Sequence, residues 1–381
     1  MSPTPPPQGL TYESAGVDYT PLDAFKRACQ AEAATTTANL ALHKLAEVPG
    51  IRGESAYLVE SDTEFWAHVE EGLGTKNLVA DAVKAATGVC HYRAIGIDTV
   101  ATIVNDLVTT GALPVAVAMH AAVGSTDWFN DRERCAQLAQ GFAHGCHLAG
   151  AVWSGGETPA LRDLIRPEAI VLAGSAVGRL APKSLRVRGD LRDGDAIVLL
   201  ASSGIHTNGL TLCRRLAERL PAGYLEKLPS GETYGKALLT PSVIYCRFVA
   251  ALHHADLRPR YLAHITGHGW RKLMRLPDPF VYTVHQPFAP GLTLETTAGG
   301  LFQFIMDRGP VSLAEAFATF NMGAGFAAFV APEDVEPTLK TAASTGYTAW
   351  HAGTVRKDGL RKAVEIPSLG LTFDGHTLQV R

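Results

Sequence analysis

The residues best placed to do chemistry are carboxylates in apolar company. Asp98 and Asp106 both fall in the run Ile95-Gly96-Ile97-Asp98-Thr99-Val100-Ala101-Thr102-Ile103-Val104-Asn105-Asp106-Leu107-Val108. Asp98 can cap a helix there, whereas Asp106 lies two turns in among bulky neighbours. A buried, unpaired carboxylate is costly, so a cation, a metal or a set of N–H donors has to lie close; a solvent-facing or arginine-paired aspartate is the plainer reading. A second cluster, Glu70-Glu71-Gly72-Leu73-Gly74-Thr75-Lys76, combines acids, two glycines that free the backbone and a lysine. It has the makings of a phosphate cradle but lacks the Gly-Lys-Ser/Thr of a P-loop, and an ordinary turn is the alternative. Third, the strand expected over Ala151 to Trp153 runs into Ser154-Gly155-Gly156-Glu157-Thr158, which sets Glu157 on a glycine-rich turn at a strand's C-terminal edge. Fourth, Ser202-Ser203-Gly204-Ile205-His206-Thr207-Asn208-Gly209 leads from a strand into a helix, where unpaired N–H groups and hydroxyls gather and anions bind. Capping by Thr207 or Asn208 explains one residue of that run but not all of it. His264 and His268 have the spacing of a metal pair, yet the glycines around them argue against the helix that would aim both at one ion.

These groups need elements to hold them. Apolar periodicity predicts helices over 24–46, 95–110 and 132–148, and strands over 56–59, 114–123, 151–153 and 170–177. A polar, glycine-bearing stretch near 182–194 separates this set from a second one. In the second set, strands begin at Asp195, Val281, Gly325 and Thr348, and helices are expected from Leu210, over 241–254 and over 332–345. The fold class is therefore α+β in two halves, with a disordered arm over 1–10, an N-terminal unit over 11–185 and a C-terminal unit over 186–381. The 381 residues carry 34 basic and 37 acidic side chains with no long run of either sign, which argues against nucleic acid and membrane surfaces as partners. Six cysteines without a C-x-x-C pair and a start without the pattern of an export signal suggest a reducing, cytoplasmic setting.

Taken in order, the segments resemble one family. They are Tyr12-Glu13-Ser14-Ala15-Gly16-Val17-Asp18, Gly72-Leu73-Gly74-Thr75-Lys76, Ile95-Gly96-Ile97-Asp98, Asp106 with Gly111-Ala112 and Pro114, Gly155-Gly156-Glu157-Thr158, the Ser202 to Gly209 run, Leu239-Thr240-Pro241, His264-Ile265-Thr266-Gly267 and Thr319-Phe320-Asn321-Met322-Gly323. Nearly end to end, the chain is similar to aminoimidazole ribonucleotide synthetases, the phosphoribosylformylglycinamidine cyclo-ligases. The resemblance implies a homodimer whose N-terminal halves share a barrel, each followed by an α+β C-terminal domain, with ATP in the cleft between. It also implies conversion of formylglycinamidine ribonucleotide to aminoimidazole ribonucleotide in purine biosynthesis.

On that resemblance Glu71, Asp98 and Asp106 are expected to hold Mg²⁺ against the ATP phosphates, with Lys76 touching the phosphates and Gly72, Gly74 and Thr75 forming the cradle. Glu157 is expected to orient water or the amidine. His206, with the Thr207, Asn208 and Gly209 amides, is expected to bind a phosphate or the leaving oxygen. The chain departs from the family pattern in several places: a glycine-rich loop is replaced by 48–57, Gln30 stands where a lysine is common, and His268 and Trp270 interrupt a glycine-rich turn. The segment 61–70 looks inserted, and the C-terminus extends further. The alternatives are another ATP-using member of the superfamily with a different acceptor, such as a selenophosphate synthetase, a thiamine-phosphate kinase or a hydrogenase-maturation enzyme, and a non-catalytic nucleotide-binding derivative.

Overall fold

The computed structural model describes residues 9–11, 13–16 and 19–378. The first half runs α1 (Tyr19–Ala34), β1 (Ala46–Glu47), β2 (Tyr57–Glu60), β3 (Phe65–Gly72), α2 (Lys76–Thr87), α3 (Tyr92–Leu107), β4 (Leu113–Val123), α4 (Arg132–Ala149), β5 (Val152–Glu157) and β6 (Ile170–Leu180). The second runs β7 (Ala196–Ala201), α5 (Leu210–Ala217), α6 (Tyr234–Leu238), α7 (Cys246–His254), β8 (Tyr261–His264), β9 (Val281–Val284), α8 (Leu301–Arg308), α9 (Leu313–Thr319), β10 (Ala324–Val330), α10 (Val335–Ser344), β11 (Ala349–Arg356), β12 (Ala363–Ile366) and β13 (Leu371–Asp374).

Each half builds its own mixed sheet. The first has the order β1-β2-β3-β6-β4-β5 and the second β13-β12-β9-β11-β7-β10-β8. In the second sheet β8, β9 and β10 are buried at every position, so both faces are covered, as their unbroken apolar runs require. The first sheet covers only one face. In β3, Phe65, Ala67 and Val69 turn inward while His68 and Glu70 turn out. On β6, Val171 and Val177 stay exposed on the outer face.

The helix α3 is apolar almost all round and buried along nearly its whole length, as such a helix must be. It lies between the first sheet, α4 and the second half. The approach to α4 is close enough that a Cβ on Gly96 would meet the Leu138 carbonyl oxygen and the Phe142 nitrogen, both at 2.5 Å.

Several sequence expectations are corrected. The helix expected over 24–46 ends at Ala34, because Thr35 and Thr36 turn their hydroxyls back onto the Glu32 and Ala33 carbonyls and a short 3-10 turn takes over. The segment 61–70, which looks inserted in the sequence, supplies the start of β3, a strand inside the sheet. The strand after Ala151 does not turn at Ser154 but continues as β5 through Glu157. The arm expected over 1–10 lies mostly outside the described residues, as does part of the Tyr12 to Asp18 motif. Leu10 is buried and donates its N–H to the Gly309 carbonyl. Among the described residues no helix is long and apolar enough to cross a membrane.

Candidate active site

One face of α3 carries Asp98, Thr102, Asn105 and Asp106, a polar stripe at helical spacing aimed at the second half. Its members meet different fates. Asn105 ties the halves together, donating to the Val243 carbonyl (2.8 Å) and accepting from the Tyr245 N–H (2.9 Å). Asp98 is wholly buried, with Oδ2 2.8 Å from the Lys76 ammonium and Oδ1 accepting from Ser242 N–H (2.8 Å) and Oγ–H (2.5 Å). Lys76 spends a further hydrogen bond on the Thr240 carbonyl (2.9 Å). Burial pushes the Asp98 carboxyl up and the Lys76 ammonium down, each opposed by the other's charge, so the two are held in place as a pair.

Asp106 opens instead onto a cavity of about 180 Å³ between the halves. From the first half Glu71, the Gly72 to Thr75 loop and Thr102 line it; from the second come Thr207, Asn208, the start of α5, Thr266 and Lys272. It continues into an outer cavity of about 530 Å³ bounded by Gln30, Gly53, Glu54, His268 and Arg275. Glu71, Asp106, Asn208, Thr266 and Lys272 face both, and so form the neck between them.

The electrostatics of the neck follow from crowding. Burial, then the Asp106 charge, pushes Glu71 up to about 7. Burial would raise Asp106 too, but His264 Nδ1–H donates to its Oδ1 at 2.6 Å. With the Lys272 and Arg275 charges, that holds the carboxyl below its ordinary value. Burial and the neighbouring Arg275 bring Lys272 down to about 8 against the pull of both acids. Arg275 is fixed by the replacement loop: its guanidinium donates to the Gly53 carbonyl (2.6 and 3.1 Å) and Ser55 Oγ (2.7 Å). The region that lacks the family's glycine loop therefore still walls the site.

The expected residues divide accordingly. Glu71, Gly72, Gly74, Thr75, Asp106, Thr207 and Asn208 come together around the cavity. Asp98 and Lys76 do not reach it, because each is consumed by the other. His206 is kept out as well: it is buried at φ 58°, and its Nε2 accepts the Ser203 and Val243 N–H groups (3.3 and 3.4 Å). Burial, then the His264 and Lys76 charges, holds it well below the usual histidine range, so it is a neutral structural acceptor. Gly209 shapes the entry to α5 at φ 78°, where a Cβ would strike the Phe320 ring at 2.2 Å. Glu157 is exposed on β5 and lines neither cavity.

The expected three-acid metal set is thus reduced. Among the described residues no group of three or more His, Cys, Asp or Glu is placed to hold a metal. Glu71 and Asp106 remain, and two carboxylates that repel one another at the foot of a phosphate-sized cavity suit Mg²⁺, which takes its other oxygens from phosphates and water. Sequence reading singled out His264 for its spacing and motif but did not see it as the partner of Asp106, and it missed Lys272, Arg275 and Thr102. Of the three missed, Thr102 carried a signal, the i+4 step from Asp98 to Asp106.

Residues 53–180 match the family described as AIR synthase related protein, N-terminal domain. A phosphoribosylformylglycinamidine cyclo-ligase of Pyrococcus horikoshii is 34% identical over 96% of this chain and 100% of its own length. One from Thermococcus kodakarensis is 36% identical over 87% and 91%. Among solved structures, a hydrogenase maturation protein HypE in complex with ATP shares the fold at a TM-score of 0.52 and 17% identity, covering 74% of this chain and 78% of that one. With relatives this similar along its whole length, the chain belongs to the phosphoribosylformylglycinamidine cyclo-ligase family.

Proposed function

We propose that the chain catalyses the ATP-dependent closure of formylglycinamidine ribonucleotide to aminoimidazole ribonucleotide, with ADP and phosphate as the other products. The observation that carries this reading is the neck itself, where Glu71, Asp106 and Lys272 face one another across a cavity bounded by a glycine loop and a helix start. Ring closure requires a carbonyl-type oxygen to leave, and oxide or hydroxide leaves poorly at neutral pH. Transfer of the γ-phosphoryl to the formyl oxygen makes it a phosphate, which the amidine nitrogen then expels as it attacks the same carbon. Such a reaction asks the protein mainly to position reactants and neutralise charge.

In this reading the Gly72 to Thr75 backbone and the free N–H groups at the start of α5 cradle the phosphates. Glu71 and Asp106 would hold Mg²⁺, which supplies Lewis-acid polarisation and charge neutralisation when bound. His264 keeps Asp106 ionised and oriented. Asp98, Lys76 and Ser242 form the girder that fixes α3 to the second half.

The half-dressed first sheet supports assembly into a homodimer. Its outer face presents Val171, Val177, Val115 and Val152 to solvent, apolar surface of the kind a second copy would cover. Six cysteines without a C-x-x-C pair support a cytoplasmic setting. The test is an assay of phosphate release with and without formylglycinamidine ribonucleotide. Release that depends on the ribonucleotide and yields aminoimidazole ribonucleotide is expected; release with another acceptor, or nucleotide binding without turnover, would replace this reading.

A further inference from the structure

The proposed reaction needs a cation at the transferred phosphoryl group, and the two positions where sequence leads one to look for it fail. Lys76 is fully buried against Asp98, and position 30 is a neutral glutamine at the rim of the outer cavity. Two carboxylates alone would repel a triphosphate. The cations that remain around the cavities are Lys26, Arg275 and Lys272. Lys26 is more than half exposed and pairs with Asp23 at 3.4 Å. Arg275 is spent on the Gly53 carbonyl and Ser55.

Lys272 differs from both. It faces the inner and the outer cavity, and among the described residues none hydrogen-bonds or ion-pairs with its ammonium. Half-buried between the two cavities, its ammonium keeps its N–H donors for an incoming anion to accept. Its backbone is held firmly. Trp270 Nε1–H donates to the Asn321 carbonyl at 2.8 Å, and Arg271 donates to the Ala318 and Thr377 carbonyls at 2.9 and 3.0 Å. Gly269 packs so tightly that a Cβ there would lie 2.2 Å from the Phe317 oxygen. The turn that interrupts the family's glycine pattern thus serves as a rigid mount for the lysine.

We infer that Lys272 is a catalytic residue whose ammonium contacts the terminal phosphate oxygens of bound ATP and neutralises charge as the phosphoryl group moves. The inference rests on the reading under Proposed function, and it places the cation on the opposite wall from the loop lysine that the sequence suggests.

The experiment measures Kd for ATP and for AMP in the wild-type protein and in Lys272→Gln, Lys272→Met and Lys272→Arg, with kcat, KM and the thermal midpoint of each. Loss of one charge-assisted contact should cut the preference for ATP over AMP by about 10- to 100-fold in Lys272→Gln. kcat should fall more than KM for the ribonucleotide rises, Lys272→Arg should recover part of the preference, and the midpoint should not drop. Lys272→Met gives the same reading if the glutamine variant does not fold. An ATP-to-AMP preference equal to wild type, or a loss confined to KM for formylglycinamidine ribonucleotide, overturns the assignment. A wild-type protein that turns over no formylglycinamidine ribonucleotide would instead defeat the functional reading, while the ATP-to-AMP comparison still judges the lysine.

Discussion

Asp98 and Asp106 lie two turns apart on the same buried helix and face the same way, yet their surroundings make them different objects. Asp98 meets a lysine, a hydroxyl and a backbone N–H, so its charge is fully answered from within the protein. Asp106 meets one histidine and then open space shared with Glu71 and Lys272. The lesson is that burial of a carboxylate does not by itself mark a site. What marks it is charge the protein leaves for something else to complete.

The contrast is broken most forcefully by removing one charge at a time. Asp106→Asn should lower ribonucleotide-dependent phosphate release by about 10³-fold or more with the fold retained, since charge at the reacting phosphates contributes most of such catalysis. Near-native turnover in that variant would take Asp106 out of the site. Lys76→Met should do the reverse, costing about 3–5 kcal/mol of stability by stranding the Asp98 charge, and Lys76→Met with Asp98→Asn should cost less than the single change. Denaturant unfolding reads both, and a stable Lys76→Met protein that has lost ATP affinity would restore the lysine to the phosphates.

A pH series sharpens the comparison further. Glu71 holds a proton in the folded state up to about 7 that the unfolded chain releases near 4.5. The folded state binds more protons across that window, so this group lowers stability as pH rises from about 4.5 to about 7. Glu71→Gln should flatten that fall by on the order of 1–3 kcal/mol. Unfolding curves at pH 5 and pH 8 that shift equally in wild type and variant would show that the neck does not crowd Glu71. The smallest effect is expected at His206. Its replacement by alanine leaves the Ser203 and Val243 N–H groups short of an acceptor, a loss of about 1–3 kcal/mol with kcat changed less than about twofold.

Much of the frame was legible because apolar periodicity reports burial directly. The runs forming α3, α4, β4 and β7 have no other stable placement, and the stripe of Asp98, Thr102, Asn105 and Asp106 shows which face of α3 meets polar company. β3 was hidden in plain alternation, Phe65, Ala67 and Val69 against Trp66, His68 and Glu70, because a motif comparison made the segment look inserted. The partners were not legible. Asp98 finds Ser242 at a separation of 144 residues, and Asp106 finds His264 at 158, so local spacing carries no trace of either contact. The same limit misassigned Lys76, whose motif position suggests phosphate while the fold turns it toward Thr240. Lys272 lies outside every motif that the sequence singles out, so nothing local marks it.

The most direct measurement is a crystal structure grown with Mn²⁺ and a non-hydrolysable ATP analogue, read by its anomalous signal. The account predicts Mn²⁺ bridging the Glu71 and Asp106 carboxylates to the analogue's phosphates, with the Lys272 ammonium on the terminal phosphate and the Asp98–Lys76 pair unchanged. Metal bound beside Asp98, with Lys76 drawn out of its pair onto the phosphates, would contradict it.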